Sequence, residues 1–391
     1  MKILYVGESI GQVDTAMFIH VENVAKLLKA KGHDVELLSL SDKENYNDKV
    51  IDGFAYHYTR YYKNRLVRKA INFLNVIYGY QMLVRVKKIR ETFNYDMIIY
   101  YGYSAEARLI SYCKKKNILF VIERVDWFER SDRKGFWEQY IYQYIVNNCY
   151  RNVDFKADAI IVISEYLKKY FSNHNIPVLL MPPIFSLKEF DNDEIDRGGH
   201  CDSNNIIRLI YCGNLSGDKD TVAPVIKAIE NINDKCVYFT LDIVGVTQQD
   251  YERKTGDKIN NSAVKFYGRM PHKKAVEVLK KSDITILLRQ RKKYAKAGFS
   301  TKFAESMLCG IPVLCTSVGG ADLCIRDMTN GFLLQSNSVN DVEDKLRKIL
   351  SLKVEDMEKI KNETFDYAKK HFTIESKYEI IDEFFDEIIK R

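Results

Sequence analysis

Residues 297–316 read AGFSTKFAESMLCGIPVLCT, a helix pattern that runs directly into a strand pattern. Phe303, Ala304, Met307 and Leu308 recur at helical spacing, Gly310 suits the left-handed position that ends a helix, and Pro312 forbids continuation. The spacing predicts a helix over 302–309, capped at its start by Ser300 or Thr301, and a strand beginning at IPVLCTS. A helix N-terminus carries about half a positive charge, so Lys302 in the first turn costs about 0.3–1 kcal/mol unless an anion lies close. A capping box does not explain the stretch, because Thr301 and Glu305 are four apart and Ser300 is followed at three by Phe303. Thr301 and Glu305 share a face instead, hydroxyl and ammonium at the tip and carboxylate one turn below. That arrangement suits a phosphate at the tip and sugar hydroxyls at the carboxylate.

The same helix-to-strand alternation extends in both directions. Upstream, IIRLIYCGN, VYFTLDIVG, VKFYG and DITILLR are strand candidates, with TVAPVIKAIENI and HKKAVEVLKKS as helices between them; downstream, GFLL is another strand. An earlier series opens with MKILYVGESIG and continues through GHDVELLSL, YDMIIYYG, ILFVIERVD and ADAIIVISE, again separated by helical segments. Continuous apolar strands of this kind belong to parallel sheets covered on both faces. The fold class is therefore α/β, with two doubly wound Rossmann-like domains. The expected boundaries are 1–185 for the first domain, 186–205 for a charged, aperiodic linker, and 206–372 for the second. A charged helical tail follows, whose last part, about 373–391, is expected to pack back on the first domain.

At 391 residues and 46% apolar composition the chain can fill two cores. Sixty basic residues face 53 acidic ones, and the formal charge of +7 does not call for a general polyanion partner such as nucleic acid. Eight cysteines without a CxxC pair suit reduced core residues, and none of the seven histidines has metal spacing. The apolar run after Met1 and Lys2 is too short for a signal-peptide core, and no later run approaches a membrane span. A cytoplasmic protein is expected.

In doubly wound sheets, ligands bind beyond the carboxyl ends of the strands. The first such loop of the second domain is CGNLSGDKD, where Gly213, Ser216 and Gly217 permit close backbone approach and Lys219 precedes the next helix. Arg289 ends the strand DITILLR and faces the same rim as the loop Gly298, Phe299, Ser300, Thr301. Lys219, Arg289 and Lys302 thus converge from three strand ends, and like charges so placed need a matching anion, as a nucleoside diphosphate would supply.

These residues carry a resemblance. The second half is similar to the donor domain of family 4 (group 1) glycosyltransferases, retaining enzymes of the GT-B fold in which two Rossmann-like domains face a cleft. Their phosphate loop GRLSxxK resembles GNLSGDK, with Lys219 in the lysine position and Asn214 replacing the arginine. Their pair of glutamates eight apart ahead of CGxPV resembles Ala297 and Glu305 ahead of CGIPV, so the first glutamate is missing. The variant AGF(S/P)TK resembles a subgroup in which an arginine ahead of the loop and a lysine within it serve the phosphates, here Arg289 and Lys302. The histidine that most relatives keep in the first domain is also absent from VIERVDWFER; Asp126, or else Glu123, takes its place. The N-terminal glycine loop, the helix ahead of GHDV and the ADAIIVIS strand extend the resemblance to the whole chain.

The resemblance implies a hexosyltransferase-type enzyme that moves a sugar from a UDP- or GDP-sugar to a glycan or lipid-linked acceptor, with retention, in bacterial surface polysaccharide biosynthesis. No cofactor or metal is required. Glu305 is expected at the ribose, the backbone near Met270 at the base, and Gly11 where the first helix approaches the donor. The DND run at 191–193 falls in the linker and is discounted, and GESIG is not a dinucleotide fingerprint. Two rivals remain: a nucleotide-sugar-binding regulator that has lost catalysis, and a nucleic-acid-binding protein. Residues 57–96 hold nine Lys or Arg against Glu91 and Asp96, with apolar stripes Leu66, Ala70, Phe73, Ile77 and Met82, Val86, Ile89, Phe93. Those stripes face either the domain's own sheet or the inner face of the plasma membrane, where anionic lipid would receive the basic residues.

Overall fold

In a computed structural model of the chain, the structure describes residues 1–7, 10, 15–40, 47–103, 106–129, 135–190, 206–215 and 220–391, with residues 72, 76 and 77 described by backbone alone. The described residues divide into two compact units, Met1–Pro182 with Lys377–Arg391, and Pro183–Ser376.

The first unit is built on β1 (Lys2–Gly7), β2 (Asp34–Ser39), β3 (Lys49–Ile51), β4 (Phe54–Tyr58), β5 (Met97–Tyr101), β6 (Leu119–Arg124), β7 (Ala159–Val162) and β8 (Val178–Leu180). They form one sheet in the order β3-β4-β2-β1-β5-β6-β7-β8, parallel throughout except for the β3–β4 edge pair. The apolar runs account for this arrangement. Ile3, Leu4, Tyr5 and Val6 of β1, and Met97, Ile98, Ile99 and Tyr100 of β5, are all buried, as strands covered on both faces must be. The helix Ala16–Ala30 starts at Thr15, whose side-chain oxygen accepts from the Phe18 amide at 3.1 Å, and buries Val21, Val24 and Leu28. The last helix, Tyr378–Lys390, belongs to this unit and buries Ile381, Phe384, Phe385 and Ile388.

The second unit carries β9 (Ile207–Cys212), β10 (Asp220–Thr221), β11 (Phe239–Val244), β12 (Val264–Gly268), β13 (Ile284–Arg289), β14 (Val313–Thr316) and β15 (Phe332–Leu334). The order is β12-β11-β9-β13-β14-β15, with β10 pairing antiparallel to the end of β13. Strand order reverses between β9 and β13, the position where open α/β sheets leave a crevice at their carboxyl edge. The helix foreseen at 302–309 spans Thr301–Leu308, and Gly310 takes the left-handed φ of +71° that lets the chain turn into β14.

One expectation is revised and one open alternative is divided. Residues 186–190, assigned to a linker, pack within the second unit: Phe190 is buried and meets the Phe185 ring edge-on at 5.5 Å, while 191–205, including the DND run, lie outside the described residues. The two apolar stripes of 57–96 also differ from each other. Met82, Val86 and Ile89 of the helix Tyr80–Thr92 are buried against the sheet, whereas the helix Arg65–Tyr78 buries none of its described side chains.

Candidate functional site

The carboxyl ends of β9 and β13 meet at the strand-order reversal, and the short β10 crosses there. Its register sets Asp220 opposite Arg289 and Thr221 opposite Leu288. The Arg289 Nε–H donates to Asp220 Oδ1 at 2.9 Å, Tyr211 at the end of β9 donates its hydroxyl to Oδ2 at 3.1 Å, and the Lys302 ammonium donates to the same oxygen in a short bond. Lys302 also donates to the Tyr211 hydroxyl at 3.3 Å and rests over its ring, Nζ 4.7 Å from the centroid. Two cations from separate elements therefore share one carboxylate, whose side chain is only 6% exposed.

The electrostatics follow from that geometry. Burial alone would raise the Asp220 pKa, but Lys302 and then Arg289 outweigh it and pull the carboxyl down to about 2. Burial also holds the Lys302 ammonium below the ordinary lysine value, with Asp220 opposing and Arg289 adding to the effect. The Tyr211 hydroxyl is raised by burial and by the neighbouring Asp220 carboxylate.

Glycine makes the arrangement possible at two points. A Cβ on Gly213 would stand 2.5 Å from Lys302 Nζ and 2.8 Å from the Tyr211 hydroxyl. Behind it, Gly245 has φ +109°, and a Cβ there would lie 2.4 Å from the Gly213 carbonyl oxygen.

Ser300 is the N-cap of the helix Thr301–Leu308 by backbone geometry, φ −86° and ψ 121°, yet its side chain makes no capping bond. Its hydroxyl is buried and has no partner among the described residues. Arg289, Phe299, Ser300, Thr316 and Gly319 line a shallow recess in front of this helix start. An uncapped helix N-terminus beside two cations is a ready anion site.

One turn down the helix, the His272 Nε2–H donates to Glu305 Oε1 at 2.5 Å. Met270 lies two residues ahead of His272 and is half-buried. Gly298 is buried, its amide donating to the Tyr294 carbonyl at 3.0 Å, and Phe299 packs edge-on against Phe303. Asn214 is exposed. Lys219, Ser216 and Gly11 lie outside the described residues.

In the first unit, both acids considered for the missing histidine's place are located. Glu123 is buried, accepting from His20 Nε2 at 2.7 Å and from the Tyr5 hydroxyl. Asp126 is half-buried, and its carbonyl accepts from the Tyr103 hydroxyl at 3.2 Å and from Tyr150. Arg124 between them donates to Asp154, at 2.8 and 2.7 Å, to Glu106 at 2.5 Å and to the Gly102 carbonyl at 2.6 Å.

The sequence led to a convergence of Lys219, Arg289 and Lys302; Arg289 and Lys302 meet on Asp220, Lys219 lies outside the described residues, and Asp220, Tyr211 and His272 were not foreseen. Asp220 stands directly after the loop lysine, and nothing in linear spacing pairs it with Arg289; only the antiparallel β10–β13 contact does.

Two doubly wound α/β units, one of them presenting paired cations at a helix start where the strand order reverses, fit the GT-B fold. The profile of Glycosyltransferase Family 4 matches residues 17–182, and that of Glycosyl transferases group 1 matches residues 197–367. The chain belongs to the family 4 (group 1) glycosyltransferases. An uncharacterized glycosyltransferase of Methanocaldococcus jannaschii is 26% identical over 203 residues, and the chain spans only 50% of that relative's length. Among solved structures, sucrose-phosphate synthase from Thermosynechococcus elongatus matches with TM-score 0.75 at 14% identity, covering 100% of both chains. Anabaena HepE in complex with UDP-glucose matches with TM-score 0.70 at 16% identity, covering 99% of this chain and 100% of that one. No helix among the described residues is long and apolar enough to cross a membrane.

Proposed function

We propose that the protein transfers a sugar from a nucleotide-diphosphate sugar, UDP- or GDP-linked, to a glycan or lipid-linked acceptor in bacterial surface polysaccharide biosynthesis, at the inner face of the plasma membrane. The observation that carries this reading is the pair Lys302 and Arg289 held on Asp220 at the uncapped start of the helix Thr301–Leu308. HepE, which shares the fold, is in complex with UDP-glucose, and this favours UDP as the base carrier.

In the reaction, the bond between the anomeric carbon and the β-phosphate oxygen breaks with its electron pair left on phosphate. Lys302, Arg289, Lys219 and the helix N-terminus stabilise that growing charge, the term that usually dominates such catalysis. The acceptor hydroxyl attacks the same face of the sugar, giving retention, and its proton passes to the departing phosphate oxygen. Gly213, Asn214, Ser216 and the loop Gly298, Phe299, Ser300 and Thr301 border the phosphates; Glu305 takes the ribose hydroxyls, exchanging His272 for them; the backbone at Met270 meets the base. Gly11 and Asp126 belong to the sugar and acceptor side.

Release of free nucleoside diphosphate from UDP-, GDP- and dTDP-sugars tests the reading. Turnover with one donor supports it, whereas tight donor binding without release would make the protein a nucleotide-sugar-binding regulator. Lys219→Ala and Lys302→Ala should each lower transfer by roughly 10² or more. Near-normal rates in both would remove the phosphate clamp from the mechanism.

A further inference from the structure

From residue 57 to residue 90 the chain carries nine Lys or Arg and no acid. The helix Arg65–Tyr78 lies within that stretch. At about 100° per residue, Leu66, Ala70 and Phe73 fall on one side, with Leu74, Val67 and Tyr78 along one edge of that stripe and Lys69 and Arg65 along the other, while Arg68 and Asn75 lie across the helix. A helix of this pattern in a water-soluble fold turns its apolar stripe to the core. This one does not: Leu66 is 76% exposed and Phe73 50%, with Val67 and Tyr78 exposed as well.

A second exposed aromatic group adjoins it. Phe136 and Tyr144 are each 72% exposed, and Trp137 and Tyr140 are exposed between them. The Phe73 and Trp137 rings lie 5.7 Å apart, and Phe136 stacks on Tyr140 at 4.8 Å, so the two groups form one surface. Contiguous apolar exposure of this extent marks an interaction face.

We propose that this face is the seat of the first unit on a bilayer containing anionic lipid. Leu66, Phe73, Phe136 and Trp137 would enter the headgroup boundary, and Arg60, Lys63, Arg65, Arg68 and Lys69 would meet lipid phosphates. Charge complementarity selects this occupant. A run of nine basic residues with no acid between residues 57 and 90, set beside exposed amphipathic aromatics, is the composition of interfacial helices that meet anionic lipid. The contact is interfacial, because no described helix can span a bilayer. The face shares no residue with the donor site, so it stands or falls apart from the assignment of that site.

The test is flotation of the full chain with phosphatidylcholine vesicles, with and without phosphatidylglycerol, at low and high salt, alongside a donor-binding melt in free solution. Binding should require phosphatidylglycerol, fall as salt rises, and drop about a hundredfold or more when Lys63, Arg65, Arg68 and Lys69 become glutamine. Phe73→Ser with Phe136→Ser should weaken it at low salt too, and lipids brominated near the headgroup should quench Trp137. Both variants should keep the wild-type melting response to nucleotide sugar, which separates loss of this face from loss of the fold or of the donor site. The proposal is overturned if wild-type protein ignores phosphatidylglycerol vesicles at low salt, if neither variant changes binding, or if the serine variant instead dissociates a dimer, which would make the face an interface with a second copy.

Discussion

Lys302 is an unfavourable choice for the first turn of a helix until its partner is seen. Asp220 supplies a counter-charge within the protein, so the cation is held in place before any ligand arrives, and a diphosphate can then add to a preformed cluster. Because the folded carboxyl lies near 2, against an ordinary value of 3.8, its contribution is complete above about pH 4 and is lost as pH falls through 2. The shift corresponds to about 2 kcal/mol. Asp220→Asn should therefore be less stable than wild type at neutral pH, and the difference should narrow between pH 4 and 2 in urea titrations; a constant difference would mean that the charge is not what matters. Gly213→Ala addresses the same cluster from its other side. Its methyl group would meet Lys302 Nζ, the movable end of a long side chain, and the hydroxyl of the buried Tyr211 ring, so both must shift: the variant should be less stable than wild type and its donor affinity should fall about tenfold. Unchanged affinity by calorimetry would show that Lys302 need not occupy its present position.

Among elements, the junction of β6 with the helix Glu106–Lys116 is held by a buried ion cluster. Arg124 gives Asp154 two hydrogen bonds and Glu106 one, and all three side chains are fully buried. One guanidinium cannot neutralise two carboxylates. Burial, with Asp154 adding to it, pushes the Glu106 carboxyl up to about 8 despite Arg124. A folded pKa above the unfolded one means that the protonated group contributes fully below about pH 4.5, and that this contribution is lost as pH rises through 8. Wild-type stability should accordingly decline from pH 5 to 9 relative to Glu106→Gln, which stays neutral; parallel pH profiles would refute the assignment. The same cluster shows what sequence can convey. Strands such as Ala159–Val162 were legible because apolar runs need no partner to be recognised, and the turn at Gly310 and Pro312 was legible because its backbone chemistry is local. The partners of Arg124, Glu106 and Asp154, come from two other elements, which linear spacing does not announce. Periodicity likewise announced that the helix Arg65–Tyr78 is amphipathic without saying what covers it, since that depends on neighbours distant in sequence.

At the scale of the molecule, the chain leaves the first unit near Pro182, builds the second, and returns its last helix to the first. Lys31 pairs with Asp382 at 2.6 Å, the His33 ring lies 4.9 Å from Phe385, and Arg391 donates to the Asn175 carbonyl at 3.3 Å. Each unit thus has its own core, and that of the first includes the returning segment Lys377–Arg391. Two cores imply two sources of stability that different changes should address. A nucleotide that binds the native second unit stabilises it by mass action, by about 2.7 kcal/mol at a hundredfold excess over Kd, and so raises that unit's midpoint. Phe385→Ala removes a buried ring from the first unit and should cost it about 3–5 kcal/mol. Calorimetry of the full chain should then resolve two transitions, UDP shifting one upward and Phe385→Ala shifting the other downward. If both changes move a single transition, the units unfold as one, and the returning helix is part of a core that the whole molecule shares.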